Sequence, residues 1–205
     1  MMDTQTDILP RPADVELVPD DYFAPLDLAK IFGRAAPLEV DLGCGDGRFI
    51  IAQAATFPDR NFLGIEKLEG RVETACRKGA RAGLRNLRVL RIETSYAIQY
   101  LLPAGSADAV HLLFPDPWPK GKHRRRRIVT PEFFASVHRL LGPYGRLRIV
   151  TDQEKYFIAI RAQIAADLFV EDADFTTEEF PPTTFERRYL DLGLPIYRLG
   201  LRKVS

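Results

Sequence analysis

The sequence has few of the residues that form metal or disulfide frameworks, and it has no long apolar run. Its two cysteines, Cys44 and Cys76, lack CxxC spacing, and its three histidines form no metal-ligand pattern with them. We therefore expect no metal and no disulfide framework. No stretch of about 20 apolar residues occurs, and the first residues show no signal-peptide pattern. These absences predict a soluble, cytoplasmic protein that does not bind a membrane.

The net charge is only +1 over 205 residues, but its distribution is uneven. Residues 1–41 contain 3 basic and 9 acidic side chains, so the remainder carries +7. Prolines at positions 10, 12 and 19 interrupt an acidic N-terminal stretch, which predicts a mobile arm over residues 1–24. The rest, 25–205, is long enough for one sizeable core and is interpreted as a single domain.

Short apolar strands alternate with helical patterns along the domain. This alternation predicts an α/β fold with a mostly parallel sheet covered by helices on both faces. The predicted strands are 38–43, 61–66, 87–93, 109–114, 145–150, 169–175 and 196–201. The predicted helices are 26–32, 49–57, 68–82, 96–102, 131–141 and 157–168, and Thr130 is expected to cap the fifth of these.

An acidic residue lies at or just beyond the end of each of the first five strands. Ligands of open α/β sheets bind beyond the carboxyl ends of the strands, so these acids are candidate site residues. The alternative is that acids favour helix N-termini, where the helix dipole stabilises them by about 0.3–1 kcal/mol. The five acids are Asp41, Glu66, Glu93, Asp116 and Asp152.

A glycine-rich turn, Gly43-Cys-Gly45-Asp-Gly47, follows the first strand and would let a ligand approach the backbone closely. A dinucleotide fingerprint would need its third glycine at position 48, which is Arg48. The acids in and before this turn suit a cationic ligand, and Glu66 has the spacing of a ribose-binding acid. A ligand with a ribose, an adenine and a positive charge is S-adenosylmethionine, which favours a methyltransferase over a dehydrogenase.

The loop after the fourth strand combines an acid, an aromatic ring and a dense basic segment. Three prolines in residues 115–119 exclude a helix or an inner strand, so Asp116 and Trp118 are expected on a stiff loop. Trp118 could stack on a base or pack within the loop. Lys120, Lys122 and the arginines 124–127 could neutralise phosphates or form a solvated loop. Arg71, on the basic helix 68–82, is interpreted as part of a solvated face.

Several motifs together resemble the bacterial tRNA (guanine-N7-)-methyltransferase family. The broad ones, 41–47 and 64–66, are typical of class I methyltransferases, whereas 114–120, 126–129, 151–152 and 183–186 are more specific. The resemblance extends from about residue 31 to the C-terminus. It implies a Rossmann-like class I methyltransferase fold with a seven-stranded, mostly parallel sheet.

The resemblance also implies roles for individual residues, with S-adenosyl-L-methionine as methyl donor and tRNA as substrate. Asp116 matches the residue assigned to catalysis, and it also matches a cofactor-binding position. The other cofactor-binding residues are Asp41, Gly43, Gly45, Glu66 and Glu93, of which the glycines come from the turn. The implied substrate-binding residues are Lys120, Asp152, Thr183, Thr184, Phe185 and Glu186. Without the resemblance, residues 183–186 would be interpreted as a loop.

The expected reaction is methylation of N7 of a guanine, at position 46 of the tRNA variable loop. Two other readings of the sequence remain open at this point. Asp116-Pro-Trp118 has some similarity to the loop of enzymes that methylate adenine amines, although a second consecutive proline and a tyrosine are missing. A non-catalytic RNA-binding module is the other alternative. A monomer and a homodimer are both compatible with the sequence.

Overall fold

An eight-stranded sheet forms the centre of the structure, a computed structural model that describes residues 9–118, 125–177 and 180–204. The strands are β1 (Glu16–Leu17), β2 (Leu38–Leu42), β3 (Asn61–Glu66), β4 (Leu87–Arg91), β5 (Ala107–Leu113), β6 (Leu141–Thr151), β7 (Phe169–Glu171) and β8 (Tyr197–Lys203). They are ordered β1-β4-β3-β2-β5-β6-β8-β7. The described pairings are parallel except those of β8 with β6 and β7, so the mostly parallel α/β fold is confirmed.

Helices cover both faces of this sheet, which is why β2 and β3 are buried along their whole lengths. The described chain has no helix long and apolar enough to cross a bilayer. The helices are α1 (Pro12–Val15), α2 (Leu28–Phe32), α3 (Arg48–Thr56), α4 (Glu69–Arg81), α5 (Thr94–Tyr96), α6 (Pro131–Leu140), α7 (Glu154–Arg161), α8 (Ala173–Thr177) and α9 (Thr184–Asp191). A π-helical turn, Ala97–Leu101, continues α5.

The predicted cap of α6 is present. The Thr130 side chain accepts a hydrogen bond from the Phe133 backbone N–H at 3.2 Å, and Pro131 occupies the first turn. Phe134 and Val137, on the face that the helical spacing selects, are both fully buried. Local sequence signals were therefore sufficient to locate this helix.

The sheet has one strand more than predicted, because part of the expected N-terminal arm joins it. Residues 12–17 form α1 and the edge strand β1, which pairs with β4. Val15 is completely buried beside Gly79 of α4, where a Cβ on the glycine would lie 3.3 Å from a Val15 methyl group. Burial of this one valine offsets part of the entropy lost on ordering the segment.

The C-terminal part also differs from the prediction. The predicted helix 157–168 ends at Arg161, and the predicted strand 169–175 is strand only over β7 before α8 begins. Residues 183–186, interpreted as a loop without the resemblance, open helix α9 instead. The Thr183 hydroxyl accepts a hydrogen bond from the Glu186 backbone N–H at 2.9 Å.

Candidate active site

The glycine turn follows β2, which lies at the switch point of the sheet. From β2 the chain adds β3 and β4 on one side and β5 and β6 on the other. The backbone N–H groups of Gly43 and Cys44 both donate to the Ile65 carbonyl, at 2.8 and 2.9 Å, and fasten the turn to β3. Gly43 and Gly45 have φ values of 78° and 57°, which residues other than glycine rarely adopt. A Cβ at either position would point into open space, so the turn presents bare backbone to a ligand.

Asp41, the last but one residue of β2, is a buried acid beside this turn. It is 2% exposed, and its Oδ1 has no hydrogen-bond partner within the described part of the chain. Burial raises the pKa of Asp41 to about 7; the charge of Arg148 opposes this rise and that of Glu66 adds to it. A cationic ligand group at this carboxylate would replace the missing partner.

Glu66 ends β3 and is held rigidly. Its carboxylate accepts backbone hydrogen bonds from Lys67 at 2.8 Å, Leu68 at 2.9 Å and Gly45 at 3.1 Å. The guanidinium of Arg71 lies close by, with its Nη1 3.8 Å from Glu66 Oε2. These contacts hold the acid at the edge of the glycine turn, so little side-chain entropy is left to lose when a ligand binds.

Two neighbouring cavities, which share lining residues, bring most of the predicted cofactor residues together. The larger, of about 630 Å³, is lined by Gly43, Glu66, Glu93 and Asp116, among others. The smaller, of about 270 Å³, is lined by the glycine turn together with Asp41 and with residues 183–185. Both cavities share the residues Gly43, Arg71, Leu113 and Phe114. The arrangement would suit an elongated ligand that passes over Gly43.

Glu93 has a structural role in addition to its place on the larger cavity. It is exposed, and its Oε2 accepts a hydrogen bond from the Tyr96 backbone N–H at 3.0 Å as the cap of α5. The same carboxylate therefore stabilises the helix start and faces the cavity. Glu93 therefore fits both explanations for an acid at a strand end, a ligand site and a helix N-terminus.

The proline loop after β5 places Asp116, which is exposed, on the larger cavity. Trp118 lines the same cavity, and the guanidinium of Arg126 lies 5.0 Å from its ring centroid. Arg127 donates from Nε to the Pro117 carbonyl at 2.7 Å and so fixes the loop. Of the predicted phosphate-binding residues, Lys120, Lys122 and Arg124 lie outside the described residues.

Helix α9 contains three of the predicted substrate residues and packs against the base of this loop. The rings of Phe185 and Tyr189 both lie nearly parallel to that of Phe114, with centroid separations of 6.1 and 6.2 Å. The Tyr189 hydroxyl donates to Asp152 Oδ2 at 2.7 Å. Asp152 is thus connected to the cavities through Tyr189 and Phe114, whereas Phe185 lines the smaller cavity itself.

Glu186 lies apart from the other predicted substrate residues. It is 3% exposed, and its Oε1 accepts from Arg198 Nη2 at 2.7 Å and lies 3.9 Å from Arg148 Nη2. It borders a third cavity, of about 580 Å³, rather than the two that contain the glycine turn. These contacts indicate that Glu186 anchors α9 to strands β6 and β8.

Sequence reasoning missed the position of Arg71 and the part played by Tyr189. Arg71 lies in the first turn of α4, directly after β3, and lines both cavities instead of a solvated face. Its distance of five residues from Glu66 could have indicated this position. Tyr189 follows Phe185 by one helical turn, but that signal required α9 to be recognised as a helix.

The described residues offer little for metal binding or for cysteine-based catalysis. No group of three or more His, Cys, Asp or Glu residues there is arranged to hold a metal ion. Cys44 and Cys76 are both free and buried, and burial raises the pKa of each thiol. Neither thiol therefore has the character of a nucleophile.

The fold and the strand-end site define a methyltransferase of the class I type. The crystal structure of the aminoglycoside resistance methyltransferase NpmB1 superimposes with a TM-score of 0.57 at 22% identity, over 87% of this chain and 92% of that chain. A family model described as "Putative methyltransferase" matches residues 35–199.

Curated relatives define the family more narrowly. The tRNA (guanine-N(7)-)-methyltransferase of Alkalilimnicola ehrlichii is 36% identical, over 87% of this chain and 78% of the relative. The enzyme of the same name from Geobacter metallireducens is 40% identical, over 70% of this chain and 68% of the relative. This chain belongs to the tRNA (guanine-N7-)-methyltransferase family, and the family resemblance of its motifs is confirmed.

Proposed function

We propose that this protein transfers the methyl group of S-adenosylmethionine to N7 of a guanine in tRNA, at position 46 of the variable loop. The observation that carries the proposal is the gathering of Asp41, Glu66, Glu93 and Asp116 around two neighbouring cavities at a bare glycine turn. Membership of the tRNA (guanine-N7-)-methyltransferase family supports the choice of base and nucleic acid.

The residues present fit the methyl donor. The buried Oδ1 of Asp41 lacks a hydrogen-bond partner in the described chain, which suits the ammonium group of the amino-acid tail. Glu66 would accept hydrogen bonds from the ribose hydroxyls, and Glu93 would contact the adenine. When bound, S-adenosylmethionine supplies an electrophilic methyl group on a sulfonium. The acids around the turn match its positive charge, in surroundings where charges interact strongly.

Guanine N7 is an acceptor without a proton, so its methylation needs no general base. Asp116 would act by position and charge: it would hydrogen-bond the guanine and stabilise the positive charge that develops on the ring. Alignment of N7 with the methyl group would supply much of the rate, because orientation effects reach about 7–11 kcal/mol. The loop geometry that Arg127 fixes through the Pro117 carbonyl would maintain this alignment.

The tRNA would be held by exposed cations around the cavities. Arg125, Arg187 and Arg188 are exposed, the first on the proline loop and the others on α9. Phosphate contacts of this kind release counterions, so affinity should fall steeply with salt. Activity that did not change between about 50 and about 200 mM salt would contradict this role.

The direct test is to incubate the protein with tRNA and a donor carrying a labelled methyl group, and then to identify the modified nucleoside. We expect N7-methylguanosine in a transcript with guanine at position 46, and no label when that base is changed to adenine. Label in N6-methyladenosine would favour amine methylation instead. Binding of tRNA without any label would favour a non-catalytic module.

A further inference from the structure

We propose that Arg71 binds the carboxylate of the donor's amino-acid tail and, in doing so, leaves Glu66 to the ribose. This inference rests on the proposed function, because it assumes that S-adenosylmethionine is the ligand. It adds a binding residue that neither the strand-end pattern nor the family motifs include.

The position of Arg71 carries the first part of the argument. It belongs to the first turn of α4 and lines both the 630 Å³ cavity and the 270 Å³ cavity. The ribose would lie by Glu66 in the larger cavity, and the amino-acid tail would lie by Asp41 in the smaller one. A side chain that borders both cavities is therefore within reach of the point where the tail leaves the sugar.

Charge balance carries the second part. The tail has an ammonium group and a carboxylate, and Asp41 suits only the former. Asp46 is already paired with Lys78, at 2.6 Å. The carboxylate requires a cation, and of the residues that the structure describes, Arg48 and Arg71 are the cations that line the smaller cavity. A guanidinium is well matched to a carboxylate, because it can donate two parallel hydrogen bonds.

The present partner of Arg71 is easily exchanged. Its Nη1 lies 3.8 Å from Glu66 Oε2, beyond hydrogen-bonding distance, and its side chain is 55% exposed. Glu66 already accepts three backbone hydrogen bonds, so it does not depend on Arg71 for its orientation. Ribose hydroxyls at Glu66 would compete with Arg71, and the donor carboxylate offers the displaced guanidinium a new partner.

The experiment compares two ligands that share the adenosine and differ in the tail. S-adenosylhomocysteine has the carboxylate, whereas 5′-methylthioadenosine lacks the whole tail. Their affinities for the wild type and for Arg71→Gln are measured by calorimetry. We expect Arg71→Gln to weaken S-adenosylhomocysteine by about 10-fold and to change 5′-methylthioadenosine by less than about 2-fold.

Arg77→Gln is the matched control, because Arg77 is an exposed arginine on the same helix that borders neither cavity of the site. It should leave both affinities unchanged. Equal losses of both ligands in Arg71→Gln would overturn the proposal, since the residue would then act on the adenosine or on the fold. A tail-selective loss in Arg48→Gln, with Arg71→Gln unaffected, would assign the carboxylate to Arg48 and would also overturn it.

The two proposals can fail separately. If the wild type binds S-adenosylhomocysteine and Arg71→Gln binds it equally well, only the role of Arg71 is wrong. If the wild type binds neither ligand, the donor itself is wrong, and both proposals are overturned.

Discussion

The replacement Asp41→Asn should make the protein more stable while it abolishes tight binding of the donor. In the folded protein burial raises the pKa of Asp41 from 3.8 to about 7, so the folded state binds this proton more tightly than the unfolded chain does. Stability then falls as the pH rises from about 4 to about 7, because the buried carboxyl must be ionised at a cost. Asparagine has no charge and avoids that cost.

The size of the effect follows from the pKa difference. Each pH unit between the folded and unfolded values is worth about 1.4 kcal/mol, so the full cost at pH 8 is up to about 4 kcal/mol. At pH 5 the folded carboxyl is still protonated and the cost is smaller. The gap in unfolding free energy between Asp41→Asn and the wild type should therefore widen by up to about 3 kcal/mol from pH 5 to pH 8. Loss of the attraction to Arg148 would reduce this gain.

The measurement is urea denaturation at both pH values without ligand, with Asp59→Asn as an exposed control that should behave like the wild type. Calorimetry with S-adenosylhomocysteine should show a large loss of affinity in Asp41→Asn at pH 8. A variant that is no more stable than the wild type at pH 8, or a gap that does not change with pH, would refute the reasoning.

Three further replacements test other parts of the site. Asp116→Asn should lower kcat by about 10²-fold with saturating tRNA, and nearly full turnover would contradict the charge role. Glu186→Gln should cost about 3 kcal/mol of unfolding free energy, because it leaves Arg198 and the buried Arg148 without their carboxylate. A variant that is as stable as the wild type but binds tRNA weakly would instead support a substrate contact. Gly47→Ala should destabilise the protein by at least about 1 kcal/mol, because φ at this position is 78° and the new Cβ would lie 2.8 Å from the Cβ of Ala75. An unchanged melting temperature would contradict this expectation and would mean that α3 and α4 can move apart.

The meeting of the strand-end acids was predictable because it depends on local patterns. Apolar runs define where β2 and β3 end, and parallel strands bring their carboxyl ends to one edge of the sheet. Asp41 and Glu66 could thus be assigned to the same site before their contacts were known. The glycine turn between them could be predicted as a ligand contact because glycine leaves the backbone uncovered.

The remainder depends on contacts between residues that are distant in the sequence. Glu186 is defined by Arg198 and Arg148, which lie on two different strands, and no local pattern indicates that the three meet. Val15 belongs to a polar, proline-containing stretch, but its side chain is buried against Gly79. Composition predicted mobility for this stretch because average polarity does not reveal a single buried apolar contact.

The position of β8 inside the sheet has a consequence for how the protein folds. Arg146 of β6 pairs with Arg202 of β8, so the residues between these two partners, 147–201, must be in place before this pair of strands can form completely. Contacts of such high sequence separation form slowly, because loop closure must precede them. Helix α9 lies within that excursion and is anchored to β8 through Arg198. We therefore expect the half of the fold that contains Asp41 and Glu66 to form first and the half that contains α9 and β8 to form last.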